Sequence, residues 1–263
     1  MPDLIAITRD ISSSLADCQL THLVREAIDV DRARGQHSDY ERALERLGCA
    51  VTRLPAGADM PDSVFIEDIA IVFDEIAVVT RPGAISRRLE VSDVAAAVSR
   101  HRNVVQIASP GTIDGGDVLA VGRSVFVGRT SRTNDAGIDQ LREVLAPYSY
   151  IVHAATVRGC LHLKSAVTAL DERTLLLNRR WIAEDEFATF DLLDVDPGEP
   201  SGANIVRVGP NLLYAAAFPR TRDLLGLRGY NVITVDVSEI AKAEGAVTCC
   251  SLIFRAGPPT RHS

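Results

Sequence analysis

Residues 69–80 read IAIVFDEIAVVT: a β-rich run, a short acidic break and a second β-rich run, which predicts a hairpin. The same plan returns at 117–128 (GDVLAVGRSVFV), 166–177 (AVTALDERTLLL) and 204–215 (NIVRVGPNLLYA). Beyond these hairpins lie segments whose apolar residues recur three or four apart: LEVSDVAAAVSRH (89–101), DAGIDQLREVLAP (135–147), RTRDLLGL (220–227) and the shorter AEDEFATF (183–190). That period predicts helices. Each is followed by another β-rich run: VVQIAS, YIVHAAT, YNVITVDV and FDLLDV. A fifth unit assembles from the two ends, with LIAIT pairing to TCCSLIF, then the helix SDYERALERLG (38–48) and the strand AVTRLP (50–55).

Five hairpin-helix-strand units, the last closed by both termini, fit a ring of blades around one axis. They fit equally a mixed α+β sheet of meandering hairpins, and periodicity alone does not choose between them. No linker or low-complexity stretch interrupts the units, so one domain over 1–263 is expected. The charged stretch REAIDVDRARGQH (25–37) suits a mobile flap as well as a helix, which makes about 20–37 a candidate lid.

Composition narrows the function. With 46% hydrophobic and 24% charged residues among 263, the chain is an ordinary globular sequence with enough apolar mass for a large core. MPDLIAITRD lacks the pattern of a signal peptide, and no run approaches the roughly 18 apolar residues of a membrane span. A cytoplasmic protein without membrane contact is expected. Five cysteines, two of them adjacent, make a poor disulfide framework, so reduced thiols are expected. A net charge of -7 argues against nucleic acid and suits a cationic ligand. Oligomeric state is not legible; a homodimer is the general expectation.

Several short stretches carry polar groups where strand or turn residues would suffice. PDSVFIED (61–68) holds Asp62, Glu67 and Asp68, and GTIDGGDV (111–118) sets Asp114 and Asp117 about a glycine pair that permits close backbone approach. Taken singly, both are also ordinary acid-rich turns. His162 in GCLHLKSAV (159–167) reads as a core histidine leading into a strand, and the arginines of RPGAISRR (81–88) and RTSRTN (129–134) as solvated surface. Two arginines could equally fork onto one carboxylate. The histidines show no metal-binding spacing, and there is no GxGxxG after a strand, no GxxxxGK[ST] and no GxSxG. Zinc, dinucleotide, P-loop and serine-hydrolase chemistry are thereby disfavoured.

Taken together and in order, PDSVFIED, TRPGAISRR, GTIDGGDV, GRTSRTN, LHLKS and GAVTCCS resemble the dimethylarginine dimethylaminohydrolase family of the guanidino-modifying superfamily. The resemblance runs from Leu20 to Cys249. It implies an α/β fold, the pentein fold: a five-bladed α/β propeller of pseudo-fivefold ββαβ units. It implies hydrolysis of Nω-methylated arginine to citrulline and dimethylamine or methylamine through a covalent thiouronium on cysteine, with no cofactor and no resident metal. The nucleophile falls on Cys249, since Gly245–Cys249 matches the family's Gly-x-x-[Ser/Thr]-Cys; the histidine falls on His162, and its acidic partner on Asp114, where some members carry Glu. Substrate-binding positions fall on Leu20, Asp62, Glu67, Asp68, Arg87, Arg132 and the Ala243 carbonyl, with Asp62 and the Leu20 carbonyl at the α-amino group and Arg87 and Arg132 at the α-carboxylate. At 243 the family commonly has a larger aliphatic residue, and at 244 Asp where Glu244 stands. If 249 and 250 lie in a strand, Cys249 faces the pocket and Cys250 packs away from it. The same implied fold also accommodates an arginine deiminase, a hydrolase of citrulline or another guanidino compound, or a silent binder of an arginine-like ligand.

Overall fold

A computed structural model, which describes residues 3–257, arranges the chain as five three-stranded sheets. The terminal unit joins β1 (Leu4–Arg9), α1 (Val30–Arg46) and β2 (Cys49–Leu54). The next contains β3 (Ala70–Val72), β4 (Ile76–Val79), α2 (Val91–Val98) and β5 (Asn103–Gln106), and the third β6 (Val118–Val121), β7 (Ser124–Arg129), α3 (Asp135–Leu145) and β8 (Ile151–Thr156). The fourth opens with the short α4 (Leu163–Ala166), then β9 (Val167–Ala169), β10 (Thr174–Leu177) and β11 (Asp191–Asp194); the fifth contains β12 (Ile205–Val208), β13 (Asn211–Ala215), α5 (Pro219–Leu227) and β14 (Asn231–Val235). After α6 (Ser238–Ala241), β15 (Leu252–Arg255) returns to the first unit.

Each sheet repeats one topology. The middle strand pairs antiparallel with its hairpin partner and parallel with the strand beyond the connecting segment. The termini obey the same rule: β1 runs antiparallel to β15, with Leu4 opposite Arg255, and parallel to β2. Local sequence sets the connectors. Asp29 caps α1 by accepting the Arg32 N–H at 3.0 Å, Asn134 caps α3 through the Gly137 N–H at 2.9 Å, and Pro219 begins α5, where a missing N–H costs nothing.

Two expectations shift. The connector of the fourth unit, read as a short helix, is only a 3₁₀ turn at Glu184–Phe187. The helix expected over 38–48 starts at Val30, because Ala33, Gln36, His37, Tyr40 and Leu44 form one buried face; the lid candidate therefore loses its second half to α1.

Among the described residues no single central core forms. Five hydrophobic clusters lie at the seams between neighbouring sheets. Phe73, Ile76 and Val78 of one unit pack on Ile113, Val118 and Val125 of the next, while Val208, Leu213 and Val235 meet Ala6, Tyr40 and Leu44 to close the ring. The innermost strands β3, β6, β9, β12 and β15 surround an axial cavity of about 380 Å³. Among the described residues no helix is long and apolar enough to cross a membrane.

Candidate active site

The segments just before the innermost strands converge at one end of the axis. Asp62, Asp68, Arg87, Arg132, His162, Ala243 and Cys249 line a single small pocket there. Gln19, Phe65, Leu161 and Glu244 complete its wall. Phe65 and Leu161 stand inside the quoted motifs, but an apolar residue in a strand-like run gives no sign that it faces a ligand.

Cys249 does not lie on a strand: residues 247–250 form a turn, and β15 begins only at Leu252. The two cysteines are nonetheless separated as expected, with Cys250 fully buried in a seam cluster and Cys249 partly open. All five cysteines are unpaired. The turn is held from three sides. Tyr40 donates its hydroxyl to the Val247 carbonyl at 2.9 Å and bonds Ser251 Oγ at 2.6 Å, and Asn204 accepts the Thr248 N–H at 3.0 Å. Gly245 is required beneath, since a Cβ there would sit 2.3 Å from the Phe65 ring. The Ala246 N–H points at Cys249 Sγ, 3.4 Å away. Burial and then the Glu67 and Asp68 carboxylates push the thiol up to about 12, so the resting group is S–H.

His162 is not in a strand either; extended backbone at the N-cap of α4 presents it, and four residues of helix intervene before β9. Its Nε2 lies 3.2 Å from Asp114 Oδ2, and its Nδ1 3.8 Å from Asp68 Oδ1. Burial opposes the imidazolium, but Asp68, Asp117 and Asp114 outweigh it and raise the ring to about 9. At neutral pH the ring is a charged acid. Gly116 allows this crowding, because a Cβ there would lie 2.7 Å from both His162 Nδ1 and Asp68 Oδ1. Asp114 sits behind the histidine, fully buried, and its other oxygen accepts the Gly83 N–H at 2.9 Å.

The remaining positions divide. Asp62 reaches the pocket with its carboxylate toward the Gln19 N–H at 3.2 Å, and burial raises its pKa. Arg132 is half-buried, and its Nη2 donates to Thr21 Oγ1 at 3.3 Å. Arg87 is deeply engaged: it donates to Asp68 Oδ2 at 2.5 Å, to Glu90 at 3.1 and 2.9 Å, and to the Phe65 and Asp62 carbonyls at 2.9 and 3.2 Å. Glu67 does not line this pocket. It faces the axial cavity, where Lys164 Nζ at 2.5 Å and Thr248 Oγ1 at 2.7 Å bind it, closing the floor between the two spaces. Leu20 packs on the seam cluster, and its neighbour Gln19 lines the pocket instead.

Glu244 was visible in the sequence only as a departure from Asp. It adopts a left-handed conformation (φ 59°) and accepts the N–H groups of Thr21, His22 and Leu23, pinning the exposed segment over the pocket mouth. Asp68, Asp114 and His162 place three ligand atoms within 4.8 Å of one another. Asp68 already receives Arg87 and the Gly116 N–H at 2.9 Å, and His162 is itself cationic, so this donor set suits an organic cation that hydrogen-bonds better than a metal ion.

A ring of five ββαβ units with a thiol, an imidazolium and carboxylates gathered at one end of its axis defines a guanidino-modifying enzyme of the pentein class. No family model matches the sequence. The N(G),N(G)-dimethylarginine dimethylaminohydrolase of Streptomyces coelicolor is 41% identical over 257 residues, covering 97% of this chain and 98% of that protein. That of Pseudomonas aeruginosa is 35% identical over 251 residues, covering 94% and 98%. The structure of a cysteine-to-serine variant of the Pseudomonas aeruginosa protein complexed with citrulline superposes with a TM-score of 0.90 at 34% identity, covering 95% of this chain and 98% of that one. The chain belongs to the dimethylarginine dimethylaminohydrolase family.

Proposed function

We propose that the protein hydrolyses Nω-methylated arginine, releasing citrulline and dimethylamine or methylamine. The observation that carries this reading is the convergence of Cys249, His162 and Asp68 on one pocket in a chain of this family. The chemistry follows from the charges. Asp68 holds the guanidinium, whose positive charge offsets both the burial and the Glu67 and Asp68 carboxylates that keep the thiol protonated; Cys249 then loses its proton to solvent as substrate binds. The thiolate attacks the guanidinium carbon. His162, charged at rest, protonates the departing amine as the C–N bond breaks, leaving a thiouronium on Cys249. Neutral His162 next takes a proton from water, the new C–O bond forms, and the C–S bond breaks to give the ureido product and the free thiolate.

Asp62 and the Ala243 carbonyl receive the α-amino group, and Arg132 the α-carboxylate. Arg87 has most of its donors committed to the protein, so it serves first as the counter-charge of Asp68. Residues 19–29 act as the lid: the pocket beneath them is only about 20 Å³, room for about one water molecule, so an amino acid enters only when they lift. Unpaired adjacent cysteines support work in a reducing compartment such as the cytoplasm.

The test is product analysis of wild type and Cys249→Ser with asymmetric dimethylarginine, monomethylarginine, arginine and citrulline. Citrulline and methylamines from the methylated substrates, lost in the variant, are expected. Ammonia from arginine with no turnover of the methylated forms would make it a deiminase instead.

A further inference from the structure

Asp117 is fully buried three residues after Asp114, yet it lines neither the pocket nor the axial cavity. Its carboxylate nonetheless accepts three hydrogen bonds. Oδ2 accepts the hydroxyls of Thr130 and Thr133, each at 2.7 Å, and Oδ1 accepts the Leu163 N–H at 3.0 Å. Each partner leads to a piece of the site. Thr133 Oγ1 also accepts the Asp114 N–H at 3.2 Å, Thr130 Oγ1 accepts the Arg132 N–H at 3.1 Å, and Leu163 directly follows His162. The Leu163 amide stands at the first position of α4, where no helical carbonyl can take it. Space is tight here as well: a Cβ at Gly128 would approach Asp117 Oδ1 to 3.0 Å and the Leu163 Cβ to 3.0 Å.

We propose that Asp117 is the positioning residue for His162: anchored by Thr130 and Thr133, its carboxylate grips the Leu163 amide and so fixes the backbone from which the imidazole reaches Asp114 and Asp68. This rests on His162 as the acid-base group. A buried carboxylate held by three hydrogen bonds is a rigid point, and one misplaced by an ångström would swing the ring away from the scissile bond. Its charge has a second consequence. The groups facing His162 are Asp68, Asp117 and Asp114, all acidic, and each favours the imidazolium. The link runs both ways, since burial lifts Asp117 to about 6 against the opposing effect of His162 and the two threonines. The threonines of RTSRTN, rather than its arginines alone, thereby explain why that motif sits beside the site.

Two substitutions separate position from charge. Asp117→Asn keeps an acceptor of the same shape for the Leu163 amide but removes the charge. Asp117→Glu keeps the charge but moves it by a methylene inside the tight space near Gly128. Both are measured for kcat and KM with dimethylarginine across pH, for thermal midpoint, and by NMR titration of the His162 ring, all referred to folded protein by circular dichroism. Asp117→Asn is expected to lower kcat about tenfold or more, with KM within about twofold, and to move the ring titration down by about one unit. Asp117→Glu is expected to lower kcat with the titration left near its wild-type position. Wild-type kcat in both variants, or a lower thermal midpoint with kcat and the ring titration unmoved, overturns the proposal and leaves Asp117 a structural residue. Full turnover in His162→Gln would instead remove the acid-base reading on which it stands, and that variant is run alongside.

Discussion

Replacing Arg87 with alanine should cost the fold before it costs substrate binding, and replacing Arg132 should do the reverse. Arg87 is 4% exposed and is the cation for two carboxylates, Asp68 at 3% and Glu90 at 2%. Its loss strands Glu90 and leaves buried Asp68 with His162 as its remaining cation. Breaking a buried pair from one side costs about 3–5 kcal/mol, much of the roughly 5–15 kcal/mol that holds a domain together. For a chain of this size, at about 2 °C per kcal/mol, the thermal midpoint should fall by about 6–10 °C at pH 7.5. Arg132, half-buried and, among the described residues, bonded through its side chain only to a threonine hydroxyl, should leave the midpoint within about 1 °C and raise KM instead. Acid supplies a control. His162 and Arg87 overcome burial and hold Asp68 below the usual carboxylate range, so this stabilisation is complete above about pH 4 and fades as the pH drops through the lowered value. The gap between wild type and Arg87→Ala should therefore narrow on acidification. Calorimetry with steady-state kinetics decides the matter. An Arg87→Ala enzyme that melts with wild type and shows the same KM defect as Arg132→Ala would refute the reasoning, because it would mean that the guanidinium is free for substrate.

Three further outcomes are expected. Iodoacetamide should modify Cys249 of the free enzyme at pH 7.5 roughly tens of times more slowly than a thiol titrating near 9, the far smaller thiolate fraction being offset in part by the greater nucleophilicity of a more basic thiolate, with the rate climbing tenfold per pH unit toward about 12; peptide mapping that shows a plateau below pH 9 would contradict the resting thiol. His162, raised from 6.5 to about 9 against the pull of burial, stabilises the folded state fully below pH 6.5 and loses that contribution as pH rises through 9. The urea midpoint difference between wild type and His162→Gln should shrink over that window, and a constant difference counts against the raised value. Glu244→Ala removes the acceptor of three consecutive amides, so tryptic cleavage at Arg25 should accelerate severalfold while the global midpoint moves little; equal cleavage rates would deny that Glu244 holds the lid.

What could be read from the sequence, and what could not, follows from the range over which each signal acts. Hairpins such as 69–80 are legible because alternation and turn chemistry are local, but pairing LIAIT with the far end of the chain still leaves a ring and a mixed sheet equally open, and the ring comes from the family resemblance. The start of α1 is hidden by charge: REAIDVDRARGQH looks solvated until Ala33, Gln36 and Tyr40 are seen to share one face. His162 and Cys249 are found by identity, but not by conformation. A four-residue helix such as α4 and the turn at 247–250 are too short to impose a period on GCLHLKSAV or VTCCS. Roles are the least legible, because they depend on which end of the axis a side chain faces. Glu67 and Asp68 are neighbours in one 3₁₀ turn, yet one closes the floor with Lys164 while the other meets the pocket. Arg87 and Arg132 occupy matching motifs, yet Glu90, three residues beyond Arg87, draws it inward. A motif therefore states which chemistry is present, and the partner that each charge finds across the seam states what that charge is for. On that account Asp117 is noticed in the sequence only as one acid of an ordinary turn, and its role stays hidden: its partners are two hydroxyls and a backbone amide, none of which looks like chemistry until the fold brings them together.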